Sequence, residues 1–444
     1  MRRLILTSLL LCTSALAGGS GPSATVKPTP DQLQQQQEQT IQAADQAVNQ
    51  GEYLRAVTLM EGAVKALAAF PALQDYPRQT LGLYQSFVGL DAAARQSFDF
   101  GPPGNGTGPD EEQAISESGL KSAVQATLQA ARGQQVVILN EVHHLPQSRE
   151  FARRVALALR QEGFTYFAAE TFNPDIATTQ ALGYPTHASG YYTNEPVFGE
   201  LVRSAVKAGY TLVPYEAETF KQGGSGADQI NDRETQQANN LNERLFKKDP
   251  SARVFICVGY SHNLESAQSS GGETTKWMAL RLRELTGIDP LTVDQTEGMQ
   301  IAGPSSNPAL RAAVLRLKRP QTVSVLTDAQ GEPHRVSPFQ ERDIQVFHPD
   351  ATLIAGRPSW LYGAGRKAVT VQIPATAGQG RKLLQAFYAQ ERPTAIPADQ
   401  VVLPIRSLRP GRVTLLLLPG KYRLAVQDEA GQSVALPELV VPGK

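Results

Sequence analysis

The sequence predicts an α/β fold, a largely parallel sheet with flanking helices, preceded by an N-terminal helical hairpin and followed by a C-terminal antiparallel β-sandwich. Three observations carry this. From Glu111 to about Thr296, short β-rich runs alternate with segments of helical period, the signature of βα units. Two closures inside that stretch are alike: Gly163-Phe164-Thr165 runs on to Glu170, and Gly209-Tyr210-Thr211 runs on to Glu216. Each glutamate stands seven residues after its glycine, so both should emerge at the same depth on one end of the sheet. From Arg366 onward the period falls to two, in Val369, Val371 and Ile373 and again in Tyr422, Leu424 and Val426 after Pro419-Gly420.

Residues 1–17 read as an export signal: Arg2 and Arg3, an apolar run from Leu4 to Leu11, and Ala15-Leu16-Ala17 before Gly18-Gly19-Ser20. The mature protein is then exported, to a periplasm or the extracellular medium. Cys12 follows three leucines, and a bulky residue there is wrong for lipoprotein processing. Ser20 to Pro30 is a Gly-, Ser- and Pro-containing leader, and Gln32 to Gln39 is Gln-rich with high helix propensity. Residues 31–97 read as a helical hairpin whose second arm carries Gly51, Tyr53, Ala56, Met60 and Ala63. Small residues where two helices close, with an aromatic wedge, are similar to one tetratricopeptide-type repeat. A single repeat cannot bury both its faces, so it needs a neighbour to pack on.

A linker at 98–111, with Gly101-Pro102-Pro103-Gly104 and Asn105-Gly106, leads to an α/β domain at 112–363. The expected strands are Val136–Asn140, Thr165–Glu170, Thr211–Glu216, Val254–Gly259 and Leu291–Asp294. Between them, Phe151, Val155 and Leu159, and then Leu201, Val202 and Ala205, have helical spacing, closed by Gly163 and Gly209. Ser305 to Pro338 shows no clear rhythm. Residues 366–444 form the β-sandwich module, suited to binding or spacing.

With 42 Lys and Arg against 42 Asp and Glu, the chain has no basic excess for phosphate contacts, so a nucleic-acid partner is excluded. Two cysteines, Cys12 and Cys257, exclude a disulfide scaffold and a thiolate zinc cluster. Past the signal, no apolar stretch approaches the ~20 residues of a membrane span.

In open α/β sheets, ligands bind beyond the carboxyl ends of the strands. Those ends carry Glu141, His143 and His144; Glu170; Tyr215 and Glu216; Tyr260 and His262; and Asp294. Three of the six histidines in the chain thus fall at strand ends beside three glutamates. Glu141 and His143 are two apart and project together from an extended segment, while His144 turns the other way. After the loop Gly223-Gly224-Ser225-Gly226 comes a polar helix in which Arg233 and Asn240 share a face, with Ile230, Ala238, Leu241 and Leu245 as its buried side. Arg233 is placed to lie over a carboxylate or an anionic substrate group. His144, His187, His334 and His348 read as packed or solvated histidines, Cys257 as a core thiol, and Asp294 as a strand terminator. Tyr191-Tyr192 reads either as the lining of a substrate groove or as a pair of exposed loop tyrosines.

Asn140-Glu141-Val142-His143 with Arg149, then Glu170, then Gly259-Tyr260-Ser261-His262, resemble the paired Gly-x-x-His and Glu motifs of the superfamily that contains the erythromycin esterases, the ChaN haem-binding lipoproteins and the Tiki metalloproteases. The resemblance covers roughly residues 130 to 300, and it departs from the family at Asn140, where glycine is usual. It implies that Glu141, His143, Glu170 and His262 occupy functional positions, with Glu216 and Arg233 beside them. It also implies one of three activities. The first is a hydrolase that activates water with a histidine and glutamates, acting on an ester or amide of a small-molecule or peptide substrate. The second is a peptidase using His143, His262 and Glu170 to hold a divalent metal, zinc or manganese. The third is a noncovalent haem or small-ligand binder, served by a ligating histidine or tyrosine, with Tyr260 and Tyr215 beside the site and no Cys-x-x-Cys-His motif for covalent attachment. Imidazole chemistry agrees with the first two: histidine is near neutral at physiological pH, accepts a proton from an oriented water, and with carboxylates suits such metals. A separate reading makes the chain an envelope interaction protein, acting through its helical hairpin or β-sandwich on a protein partner.

Overall fold

The computed structural model describes residues 30–98, 108–219, 221, 223–301, 307–336, 342–363, 365–373, 380–403 and 411–443. The expected export signal and the Gly-Pro segment of the linker lie outside them. Four helices come first: α1 (Pro30–Asn49), α2 (Tyr53–Ala66), α3 (Asp75–Phe87) and α4 (Asp91–Phe98). The segment read as one hairpin thus holds two helix pairs. Next are α5 (Pro109–Glu117), β1 (Gly119–Ser122) and α6 (Ala123–Ala130). The βα region follows as β2 (Val136–Glu141), α7 (Gln147–Gln161), β3 (Tyr166–Ala169), α8 (Ile176–Leu182), α9 (Pro196–Lys207), β4 (Thr211–Pro214), α10 (Gly226–Leu241) and β5 (Val254–Gly259). After it come the hairpin β6 (Gln268–Ser270) and β7 (Glu273–Thr275), α11 (Met278–Thr286), β8 (Leu291–Asp294), α12 (Pro308–Lys318), β9 (Ser324–Thr327) and β10 (Ile344–Phe347). A small ribbon, β11 (Leu353–Ile354) and β12 (Arg357–Pro358), precedes the last module.

An eight-stranded sheet in the order β1-β9-β10-β8-β2-β5-β3-β4 forms the centre. From β10 to β4 every pairing is parallel; β9 and β1 add an antiparallel edge. The five expected strands are present, each within two residues of its expected bounds. Strands β1, β9 and β10, each four residues long, were not expected from the sequence. Period-two alternation divides the central strands between two cores. Val137, Leu139, Phe167, Phe255 and Cys257 face one side, covered by α6, α7 and α9; Val136, Ile138, Ala168, Val254 and Ile256 face the other, covered by α10 and α11. Tyr53, Met60, Tyr84 and Phe87 of the N-terminal helices belong to the first core, so the helical region is packed on the sheet. Gly163 and Gly209 take φ of 91° and 89°, the left-handed conformation that lets each helix stop and its strand begin at once.

The C-terminal module holds β13 (Lys367–Ile373), β14 (Lys382–Tyr388), β15 (Asp399–Leu403), β16 (Gly411–Leu417), β17 (Gly420–Asp428) and β18 (Ser433–Val441). An antiparallel pair β13-β16 and a sheet β15-β14-β17-β18 enclose a common core that includes Val371, Leu384, Leu415, Tyr422 and Leu424. Among the described residues no helix is long and apolar enough to cross a membrane.

Candidate active site

Strand register sets the site. Glu141 pairs with Gly259 across β2 and β5, and Ala169 sits between Cys257 and Pro214, so β2, β3, β4 and β5 end at nearly one level. Side chains from all four ends then converge around Glu170. Its Oε2 accepts from the Gly259 amide at 2.7 Å, and its Oε1 accepts from Arg233 Nη2 at 2.5 Å. Arg233 also binds Glu216 through Nε at 3.0 Å and through Nη2. Gln237 donates to Glu216 as well.

Two imidazoles flank Glu170, and each is held at Nδ1 by a carboxylate. His143 Nδ1 lies 2.9 Å from Glu141 Oε1, and His262 Nδ1 lies 2.8 Å from Glu234 Oε2. The second nitrogens turn inward. His262 Nε2 is 3.5 Å from Glu170 Oε1 and 3.3 Å from Arg233 Nη1. A Cβ on Gly259 would fall 2.5 Å from His143 Nε2 and 3.2 Å from Glu170 Oε2, so only glycine leaves the His143 ring its place there. Tyr192 stacks on that ring at 4.2 Å, and Tyr260 meets it edge-on at 5.0 Å.

The charges follow from these contacts. Burial pulls the His262 pKa down, but Glu234 and Glu170 outweigh it and hold the proton more firmly than in free histidine. Burial works against the Glu170 charge too, and His262, Arg233 and His143 overcome it, holding the carboxyl well below its usual range. Glu141 is likewise buried, yet Arg149 and His143 bring it down to about 2. Arg149 has a fully buried side chain that binds both oxygens of Glu141, at 2.9 and 3.0 Å, and donates to the His143 carbonyl. A single bond of 3.3 Å reaches Glu195, which burial pushes up to about 7 against the pull of the same guanidinium. One buried cation thus secures one carboxylate fully and a second only in part.

Among the sequence-derived candidates, Glu141, His143, Glu170, Glu216, Arg233 and His262 are brought together. Three others are placed differently. Tyr215 points into the core beneath the site, where its hydroxyl donates to the Cys257 carbonyl. Asn240 ties the backbone carbonyls of Tyr215 and Glu216 and so fixes the end of β4. The Tyr260 hydroxyl is buried, and its residue sits at a φ of 38°, with its carbonyl held by Asn140 and Arg342. That left-handed turn aims His262 back over the sheet. Asn140 also bonds Asp294 and the Gln295 amide, so the side chain standing where the resembling family has glycine binds three strand ends together.

The metal expectation does not fit these side chains. No group of three His, Cys, Asp or Glu among the described residues is arranged to hold a metal ion, because the Arg233 guanidinium fills the space between Glu170 and Glu216 and Glu170 is already engaged at both oxygens. For haem, the hydroxyls of Tyr215 and Tyr260 are both buried, so neither tyrosine is placed as a ligand.

Glu234 was missed. It lies on the stripe 230, 234, 238, 241 that was read as apolar, and an acidic residue on such a stripe was the available signal. The buried side of α10 is Glu234, Gln237, Ala238 and Leu241, whereas Ile230 is exposed at its cleft end. Beside the cluster opens a cleft of about 1040 Å³, with Glu170, Glu216 and Arg233 at its floor and Phe172, Tyr191 and Tyr192 along its wall. The Gly271-Gly272 turn forms the tip of the exposed β6-β7 hairpin, which Asn231 ties to α10 through the Thr274 carbonyl.

No protein-family model matches the sequence, and neither does any curated protein. Similar solved structures include one of bacterial protein toxins, at 16% identity over 63% of this chain and 68% of that one, with a TM-score of 0.31. Another is RRSP, a MARTX toxin effector domain from Vibrio vulnificus, at 16% identity over 66% of this chain and 69% of that one, TM-score 0.32. A third is the C-terminal region of Pasteurella multocida toxin, described with a thiol-protease-like catalytic triad, at 12% identity over 82% of this chain and 54% of that one, TM-score 0.29. TM-scores of this size carry no argument about activity. In the present chain the described cysteine, Cys257, is buried inside β5.

Proposed function

We propose that the chain is an exported hydrolase of ester or amide bonds, akin to the superfamily of erythromycin esterases, ChaN proteins and Tiki proteases. The observation that carries this is the pair of imidazoles, each pinned at Nδ1 by a glutamate, that turn Nε2 toward one carboxylate beside a cleft. In its neutral form His262 donates from Nδ1 to Glu234, and Nε2, which Arg233 Nη1 approaches at 3.3 Å, takes a proton from water. The resulting imidazolium faces Glu170 and Glu234, which offset its charge without any group having to move. His143, oriented through Glu141, stands on the other side of Glu170 to pass a proton to the leaving group. Arg233 helps keep Glu170 ionised, pairs with Glu216, and presents a cation to the developing oxyanion.

The test is turnover of p-nitrophenyl esters and of peptides by purified wild-type and His262→Ala protein. Loss of a general base should lower kcat/KM by about 100- to 10,000-fold. Equal rates in the two proteins would remove the assignment. Glu234→Gln should lower the rate less and move the acid limb of the pH–rate profile to lower pH, because the carboxylate that raises the His262 pKa is gone.

A further inference from the structure

The adjacent tyrosines of the loop between α8 and α9 use their hydroxyls differently. Tyr191 turns its own back onto the N-terminal helices, where it bonds Asp45 of α1 at 3.2 Å and Tyr84 of α3 at 3.0 Å. Tyr192 is fixed by its backbone and its ring instead. Its amide donates to Thr171 Oγ1 at 2.7 Å, and Thr193 and Asn194 close the following turn on the Gly190 carbonyl. Its ring stacks on His143 with 4.2 Å between centroids and 16° between planes, and Arg149 Cζ lies 5.6 Å from its centroid.

Only the hydroxyl of Tyr192 is left untied. It bonds no group among the described residues, yet it is not sealed as the Tyr53 hydroxyl is, and Tyr192 lines the cleft together with Glu170, Glu216 and Arg233. The carboxylates nearest the stacked rings already have donors. Glu170 accepts from the Gly259 amide and from Arg233, and Glu141 is bound by Arg149 and His143. Burial and the charges of Glu170 and Glu141 hold the phenol well above the pKa of free tyrosine, against the pull of Arg233. The group therefore keeps its hydrogen at neutral pH. A ring that cannot turn away, carrying a donor with no protein acceptor, is matched to an oxygen of a bound molecule.

We propose that Tyr192 donates its phenolic hydrogen to the carbonyl oxygen of the scissile ester or amide, and that it stabilises the oxyanion together with Arg233. This rests on the hydrolase reading. The donor is in place before the reaction, so no reorganisation accompanies the appearance of charge on the oxygen. The same stack sets the His143 ring, which ties the position of the oxyanion donor to that of the group serving the leaving atom.

The test is Tyr192→Phe, which removes the hydroxyl and keeps a ring to stack on His143. The full-length wild type and variant are compared on the p-nitrophenyl and ethyl esters of one acid and on a peptide. The loss of one oxyanion donor should lower kcat about 100-fold. KM should stay within about threefold, because the bond strengthens only as charge develops. The two esters should lose the same factor, since the carbonyl oxygen is common to both. Wild-type kcat in the variant, or a raised KM at unchanged kcat, would overturn the role of Tyr192 and leave the hydrolase reading standing. A loss seen with the ethyl ester and absent with the p-nitrophenyl ester would put the hydroxyl at the leaving group and overturn the assignment as well. If the wild type turns over neither the esters nor the peptide, the hydrolase reading fails and the role of Tyr192 falls with it.

Discussion

His143 takes its carboxylate from Glu141, two residues upstream on the same strand end, whereas His262 takes its from Glu234, 28 residues away on α10. The cations beside them differ in the same way. Arg149 is sealed, with no exposed side chain, and bonds Glu141, Glu195 and a backbone carbonyl. Arg233 keeps 17% of its side chain exposed and lines the cleft. The cation of the first arm is therefore part of the scaffold, and that of the second faces the cleft. Breaking the first should cost stability, and breaking the second should cost rate with the fold retained.

The largest effect expected is that of Arg149→Met. It leaves Glu141 buried without its counter-ion, and such losses cost about 3–5 kcal/mol. Urea unfolding should show that loss, and Arg233→Met should show a much smaller one because its arm is partly solvated. Equal losses would erase the distinction between the arms. Next is acid. Glu141 is held at about 2 in the folded protein, below its usual value near 4.5, so its contribution is complete above about pH 4.5 and is lost as pH falls through 2. That contribution is on the order of 3 kcal/mol. Unfolding free energy measured from pH 5 to pH 2 should fall accordingly, and Glu141→Gln should flatten the limb. Smaller in stability but large in rate is Gly259→Ala. The added Cβ would sit 2.4 Å from His143 Cε1, so the ring must shift. Misplacement of about 1 Å costs on the order of 100-fold in rate. A variant with wild-type kcat would mean that His143 takes no part.

What the sequence made legible follows the same division. Glu141, His143, Glu170 and Glu216 are set by strand periodicity and by two glycine closures, and each could be placed from its immediate neighbours. Glu234 meets the site from α10 through packing between elements distant in the chain, which no local period records, whereas Arg149 and Tyr192 were visible in the sequence but their contacts with Glu141 and His143 were not. Tyr215 shows the limit of reading a strand end: adjacent residues point to opposite faces, and a β4 two residues shorter than expected sends Tyr215 into the core and Glu216 to the site. The terminal regions read as a helical hairpin and a β-sandwich because their patterns are self-contained. Their place in the cleft rests on single residues, Asn49 at the end of α1 and Thr394 in the turn between β14 and β15.

The chemistry of the site depends on His262 holding its proton against burial through Glu234 and Glu170. NMR titration of the His262 ring, in the wild type and in Glu234→Gln, measures this directly. The wild-type ring should titrate above the usual value near 6.5 and the variant ring clearly lower. A His262 that titrates at or below the usual value in the wild type, or that does not respond to Glu234→Gln, would contradict the arrangement of base and orienting carboxylate described for the site.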